Sequence, residues 1–350
     1  MSTTIAIDLA KNVFELAVAD ENGSILERKR LSRAQFIRFF DQRHFDRVVM
    51  EACGTAHYWG RWFAARGMTV SLLPAHYVRA YVRRNKTDKA DATALLEAAR
   101  APDILPVQVK SVEQQALQSL HRVRQAWMST RVARINTLRG LCREFGVNAP
   151  VGAKRGMAEL TARIADPESG VPALIRGALE RLIADIRLIE ENVQGLEREL
   201  ARSVSESEVC ERLRRIPGVG LLTATALLGS VADIHRFRNG RRFASWLGLT
   251  PKEYSSGSIR RLGGISKRGD KYLRMLLVHG ARAIVFTANA AQRGNRALDA
   301  FRHWAAKQRE RLGHNKAVVA VANKLARIIW ASWARERDYD FRGVDGAVAA

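Results

Sequence analysis

Four carboxylates in the N-terminal third of the chain have the types and order needed for metal-assisted chemistry on phosphate. Asp8 lies in the apolar run Thr4-Ile5-Ala6-Ile7-Asp8-Leu9, and Glu51 closes Asp46-Arg47-Val48-Val49-Met50-Glu51. Asp88 and Asp91 are three apart in Asn85-Lys86-Thr87-Asp88-Lys89-Ala90-Asp91-Ala92. That spacing puts both on one face of a helix predicted to run through Arg100. Hard divalent cations take oxygen ligands, and Mg2+ keeps waters and substrate phosphate oxygens beside its carboxylates. Two such ions can stabilise both the attacking and the leaving oxygen at a phosphate. Each acid also has an ordinary reading: Asp88 can cap its helix, and Asp8 can be a strand-end surface residue. The ordered set weighs more than any member.

The elements that must position these acids are legible around them. Thr4–Leu9, Val13–Val18 and Ser24–Leu31 read as strands, with a turn at Asp20-Glu21-Asn22-Gly23 whose Asn-Gly pair is a hairpin signal. Ser32 caps a helix through about Arg43. Asp46–Glu51 is a fourth strand, His57–Arg66 a helix ended by Gly67, and Met68–Leu73 a fifth strand stopped by Pro74. This alternation predicts a mixed α/β layer. From Ser111 to Phe145 the pattern turns helical. Val171–Val204 then carries apolar residues at Ile175, Leu179, Leu182, Ile186, Ile189, Val193, Leu196 and Leu200. The alternating steps of four and three make a heptad seam. The seam is expected to pair with a second subunit, to pack on Leu117, Leu120, Val123 and Trp127 of the same chain, or to do both. Asp270–Ala290 and Asn315–Arg335 read as closing helices. The expected domains are 1–108, 109–206 and 207–340.

Charge names the class of partner. The 350 residues hold 58 Lys+Arg against 35 Asp+Glu, a formal +23. Residues 1–150 carry a net +9, 151–200 a net −2 and 201–350 a net +16. Two basic lobes around a near-neutral spacer suit a polyanion such as nucleic acid. A hydrophobic content of 47% excludes a disordered chain. The run near Leu221–Ala232 is too short to span a bilayer, and Asp8 and Lys11 interrupt any signal peptide. Cys53, Cys142 and Cys210 lie too far apart for a disulfide framework or zinc site. The expectation is a cytoplasmic protein with no membrane partner.

The C-terminal third offers two further patterns. Ile216-Pro217-Gly218-Val219-Gly220, between helical segments, looks like a helix-hairpin-helix, in which Pro217, Gly218 and Gly220 shape a turn whose backbone N–H groups hold a phosphate. A purely structural turn is the alternative. Beyond Phe243–Leu249 comes a loop with Ser255, Ser256, Gly257, Gly263 and Gly264 among many cations. His76, Tyr77, Tyr81, Arg83 and Arg84 precede the Asp pair as candidate backbone contacts. Trp59, Trp62 and Tyr58 sit at helical spacing and read as core.

The order Asp on the first strand, Glu on the fourth and an Asp pair on a later helix resembles the RNase H-like fold in its RuvC-like DEDD form. Ile7-Asp8-Leu9-Ala10-Lys11, Met50-Glu51-Ala52-Cys53-Gly54 and Lys86–Ala92 resemble signatures of the DEDD transposases of insertion-sequence family one-ten. Gly248-Leu249-Thr250-Pro251, Ser255-Ser256-Gly257 and Gly264–Gly269 resemble that family's second domain, with a lean toward the eleven-eleven subgroup. The resemblance covers about residues 3–335. It implies a RuvC-like N-terminal domain, a helical coiled-coil middle and a mainly α C-terminal transposase domain. It also implies a recombinase guided by a non-coding bridge RNA that pairs with donor and target double-stranded DNA. Mg2+ at Asp8, Glu51, Asp88 and Asp91 and a serine nucleophile at Ser256 follow from it, with a composite site built by different subunits of a dimer or tetramer. Chemically, Gly257 lets backbone approach a phosphate, and Arg260, Arg261, Lys267, Arg268 and Arg274 can stabilise phosphorane charge. The residues themselves leave Ser255 and Ser258 open as nucleophiles. One rival reading is a junction-selective nuclease that uses the four acids alone; another is a non-catalytic nucleic-acid-binding protein with a relic RNase H-like fold.

Overall fold

The computed structural model describes residues 3–82 and 88–340. The chain divides into two compact units, Met1–Gln114 and Gln115–Ala350.

The first unit is a mixed α/β sheet. Strands β1 (Thr4–Leu9), β2 (Val13–Ala19) and β3 (Ile25–Ser32) form an antiparallel meander. Helix α1 (Arg33–Asp41) follows, started by a reciprocal cap between Ser32 and Gln35 that satisfies two backbone N–H groups. Then come β4 (Arg47–Glu51), α2 (Ala56–Ala64), β5 (Thr69–Leu73), the short α3 (Ala75–Val78) and α4 (Asp88–Arg100). The sheet order is β3-β2-β1-β4-β5, with β4 parallel to both neighbours. Side-chain alternation gives the sheet two different faces. Ile5, Ile7, Phe14 and Leu16 face the aromatic side chains Phe36 and Phe40 of α1 and Trp59 and Phe63 of α2. Ala6, Ala17, Ala19 and Val49 face Ala92, Leu95 and Ala98 of α4. The alanines on both sides let α4 lie close to the sheet.

The direction of α4 decides what can meet its first turn. The Ala99 carbonyl accepts from Arg47, at the entry to β4, and Arg100 lies over Gly23 in the β2–β3 turn. Its C-terminus is therefore at the beginning of β1 and β4, and its first turn is at their C-terminal ends.

The second unit is mostly helical. Helix α5 (Val112–Glu144), which starts at the end of the first unit, precedes α6 (Ala153–Ala165) and α7 (Ala173–Ser203). The ion pairs Arg124–Glu197, Arg131–Glu190 and Arg134–Asp185 step oppositely along α5 and α7, so the two run antiparallel. Leu179, Ile186, Ile189, Val193, Leu196 and Leu200 of the seam are buried in this single chain. Its lower end packs on Ile135, Leu138 and Cys142 of α5 and Leu160 and Ile164 of α6. Packing within one chain, which the sequence left open beside pairing with a second subunit, thus covers at least the lower end of the seam. Helix α6 is not anticipated by the sequence reading.

Helices α8 (Glu208–Arg214), α9 (Leu221–Ser230), α10 (Gly240–Trp246), α11 (Lys271–Arg293), α12 (Ala300–Leu312) and α13 (His314–Ala334) form the second unit's main core, and a two-stranded hairpin of β6 (Pro251–Glu253) and β7 (Leu262–Ile265) projects between α10 and α11. Helix α13 is long and apolar enough to cross a membrane by composition. Its Val321, Ala322, Leu325, Ala326 and Ile329 are fully buried among the other helices, and a core helix needs that composition.

An Ile186→Ala substitution is expected to lower stability by about 2–4 kcal/mol through the cavity it leaves, measured by denaturant unfolding, with the sedimentation coefficient unchanged. Loss of an oligomer with monomer stability intact would return the seam to an intermolecular role.

Candidate active site

Parallel pairing of β1 with β4 aligns Ile7 with Met50, so Asp8 and Glu51 emerge side by side at the C-terminal ends of adjacent strands. Both share the side-chain parity of Ala6 and Val49 and so lie on the face that α4 covers. The two carboxylates also act on one neighbour. Burial, and then the charges of Glu51 and Asp8, push the Cys53 thiol up from its ordinary pKa. Asp91 is half-buried near the start of α4, at the same end of the sheet. Asp88 begins that helix; its side chain, and residues 83–87 with Arg83 and Arg84, lie outside the described residues.

Among the described residues, no three His, Cys, Asp or Glu side chains are disposed to hold a metal ion together. Tight convergence of Asp8, Glu51 and Asp91 is therefore not seen. The donor chemistry still fits Mg2+. Two adjacent hard oxygen donors with a third carboxylate at the same edge suffice for an ion that keeps waters and binds substrate phosphate.

The serines sit at the end of the β6–β7 hairpin. Ser256 and Ile259 exchange both backbone hydrogen bonds, at 3.2 and 3.1 Å, around the two-residue turn Gly257–Ser258. Gly257 adopts φ +57°, which such a tight turn favours in glycine. The neighbouring hydroxyls differ in employment. Ser255 Oγ donates to Glu253 Oε1 at 2.7 Å and accepts from the Arg261 backbone N–H at 3.2 Å. The exposed Ser256 hydroxyl makes no hydrogen bond among the described residues. Glu253 also lies 3.6 Å from the exposed Arg260 guanidinium. Arg261, Lys267 and Arg268 are exposed, whereas Arg274 is half-buried and donates to the carbonyls of Leu247 and Arg268 at the hairpin base.

That base is a backbone-to-backbone fit. A Cβ on Gly248 would stand 1.9 Å from the Arg268 carbonyl oxygen, and one on Gly269 1.9 Å from that of Trp246. Both glycines have positive φ. The Pro217-Gly218 turn between α8 and α9 is built similarly. Gly218, at φ +81°, packs against Gly280 of α11, where a Cβ would meet the carbonyl oxygen at 2.9 Å. Gly218 thus has a packing duty, while Gly220 is exposed at the N-terminus of α9.

Known proteins share both regions. A family model for DEDD transposases of the IS110 type matches residues 5–146, and one described as "Transposase IS116/IS110/IS902 family" matches residues 210–296. A "Probable family 20 transposase" of Pseudomonas aeruginosa is 42% identical over 340 residues, covering 96% of this chain and 98% of the relative. The chain belongs to the IS110 family of transposases. It is thus a DNA transposase, an enzyme of DNA recombination. The "Transposase for insertion sequence element IS1111A" of Coxiella burnetii is 39% identical over 96% of this chain and 90% of its own length. That for IS1328 of Yersinia enterocolitica is 36% identical over 94% and 96%.

One feature of the transposase escaped the sequence reading. His121 of α5 is buried between Tyr272 of α11, 3.0 Å from Nδ1, and Thr225 of α9, 2.9 Å from Nε2. The Thr225 hydroxyl spends its proton on the Leu221 carbonyl, so it accepts from Nε2–H, and Nδ1 accepts from the tyrosine. Burial, and then the charge of Arg124, hold the imidazole neutral by pushing its pKa from 6.5 down to about 4. Tyr272 is the second residue of α11, directly after the hairpin returns. A lone His in a long helix gives no signal of this role, because its partners come from two distant segments.

The unfolded chain binds a proton at His121 that the folded transposase refuses. Stability is therefore full above the unfolded pKa near 6.5 and is lost as pH falls toward about 4, by on the order of 2–3 kcal/mol. Denaturant unfolding across that range is expected to show this slope, and His121→Gln to flatten it. Separately, Gly269→Ala is expected to cost about 2 kcal/mol or more and to open residues 251–265 to limited proteolysis.

Proposed function

We propose that the transposase is a bridge-RNA-guided serine recombinase with a RuvC-like, RNase H-like N-terminal domain. It cuts and rejoins donor and target double-stranded DNA through a phosphoserine link at Ser256. The observation that carries this reading is the hairpin tip, where Ser256 presents an exposed, uncommitted hydroxyl while the Ser255 hydroxyl is tied to Glu253 and Arg261. The domains in this reading are 1–108, 109–206 with its helical coiled-coil pair, and 207–340.

Strand exchange without an external energy source has to conserve the phosphodiester bond energy. A serine ester does so. A new Oγ–P bond replaces the P–O bond that breaks, the serine proton leaves with the departing sugar oxygen, and a sugar hydroxyl later reverses the exchange. Water attack would discard that energy. Arg260, which pairs with Glu253, and the exposed Arg261, Lys267 and Arg268 supply positive charge to the phosphorane. Asp8, Glu51, Asp91 and Asp88 would hold Mg2+, which supplies Lewis-acid stabilisation of phosphate charge when bound. Pro217, Gly218 and Gly220 set a turn whose following helix N-terminus suits a DNA phosphate. In this reading sequence is chosen by base pairing of the guide RNA, leaving the protein to bind backbone and shape, and synapsis joins dimers into a tetramer.

The test is a denaturing gel of full-length protein with labelled element-end DNA, guide RNA and Mg2+. Wild type is expected to give a covalent protein–DNA band, and Ser256→Ala to lose that band and recombination together while retaining nucleic-acid binding. A band that survives Ser256→Ala but is lost in Ser255→Ala would move the nucleophile one residue back. Cutting that persists in Ser256→Ala would favour a nuclease working from the acids alone.

A further inference from the structure

The rung of the sheet that holds Asp8 carries two more charged residues. Antiparallel pairing sets Asp8 opposite Glu15, and Glu15 opposite Arg30. Directly opposed residues project to one face of a sheet. Glu15 has the parity of Ala17 and Asp8 that of Ala6, so this is the face α4 covers. From the β3 edge inward the rung reads Arg30, Glu15, Asp8, with Glu51 next along from the Ile7–Met50 register. Glu15 is buried, and its Oε1 lies 3.4 Å from Nε of Arg30, whose side chain is 66% exposed.

This arrangement is costly as plain architecture. Like charges directly opposite on adjacent strands repel, and a buried carboxylate gives up hydration. Glu15 nevertheless stands between Asp8 and the solvent-facing edge. Its effect is to draw a guanidinium against the end of an acidic row. Nε faces Glu15, which leaves the terminal N–H groups of the fork for another anion, the geometry in which arginine binds phosphate.

We propose that Arg30 contacts a phosphodiester of the DNA strand lying across the acidic row, and that Glu15 is the positioning residue that holds it there. The contact would lie about two strand spacings, ~10 Å, from Asp8. A row of carboxylates repels the backbone it must act on; a cation fixed at its end offsets that repulsion and fixes where the strand crosses. The proposal rests on the reading of Asp8 and Glu51 as the site that works on DNA.

The experiment uses the full-length protein and a fluorescent duplex carrying the end of its own insertion sequence, titrated without Mg2+ over a range of salt. Arg30→Ala is expected to weaken binding severalfold and to make the log–log salt slope shallower by about one, with the melting temperature unchanged. Arg30→Lys keeps the slope. Glu15→Gln removes a negative charge yet weakens binding, because Arg30 is released. If Arg30→Ala keeps the wild-type slope and only lowers the melting temperature, the pair is a cross-strand brace and the proposal fails. Tighter DNA binding by Glu15→Gln also overturns it. A slope change on an RNA duplex but not on DNA would overturn the assignment to DNA. Asp8→Asn reports on the underlying reading: Mg2+-dependent cutting at the wild-type rate in that variant would sink the acidic site itself, whatever Arg30 does.

Discussion

The register between β1 and β4 is the constraint on which the first unit's chemistry depends. Side chains alternate along a strand, so a slip of one residue would send Glu51 to the aromatic face while Asp8 stayed on the α4 face. The slip is prevented by what lies on each side. Ile5, Ile7, Val48 and Met50 fill the aromatic core, and Ala6 and Val49 fill the narrow space under α4. Moving β4 would drive large side chains into the alanine layer. Core packing thus places two like charges side by side, where their own repulsion would separate them.

The second unit solves a different problem, an exposed loop that must still be aimed. The β6–β7 hairpin buries little of its own surface, so its direction comes from its base. Gly248 and Gly269 permit contacts that a side chain would block, and Arg274 ties two carbonyls there. Beneath them, His121, Thr225 and Tyr272 join α5, α9 and α11 through hydrogen bonds shielded from water. Fully satisfied buried polar groups are directional where apolar packing is not, so the start of α11 is fixed in rotation as well as position. Polar buried groups stiffen the base, and the tip keeps one hydroxyl uncommitted.

Long helices and short strands were legible because their periodicity is local. The strands around Asp8 and Glu51, the Ser32 cap, α5 and α7 fall within a few residues of where the pattern puts them. Helices α6 and α12, of 13 residues each, were not anticipated. The heptad seam shows the limit of a periodic signal. A stripe of Leu, Ile and Val states that a partner exists, and says nothing of whose chain supplies it. Three ion pairs between α5 and α7 show that a helix of the same chain runs alongside it, since Arg124, Arg131 and Arg134 meet Glu197, Glu190 and Asp185 in reverse order.

The sequence by itself determined the class of partner, through a charge of +23, and the family, through motifs around Asp8, Glu51, Asp91 and the Ser-Gly block. Only the tertiary structure separated the employed hydroxyl of Ser255 from the uncommitted one of Ser256. It alone put Glu15 and Arg30 on the rung of Asp8, and it alone gave His121 its two partners. The physical reason is common to all three. Residue type and spacing fix what a side chain can do and which face it takes within its own element. Which groups from distant segments stand opposite it depends on strand register and helix direction, and those are set by the packing of the whole unit.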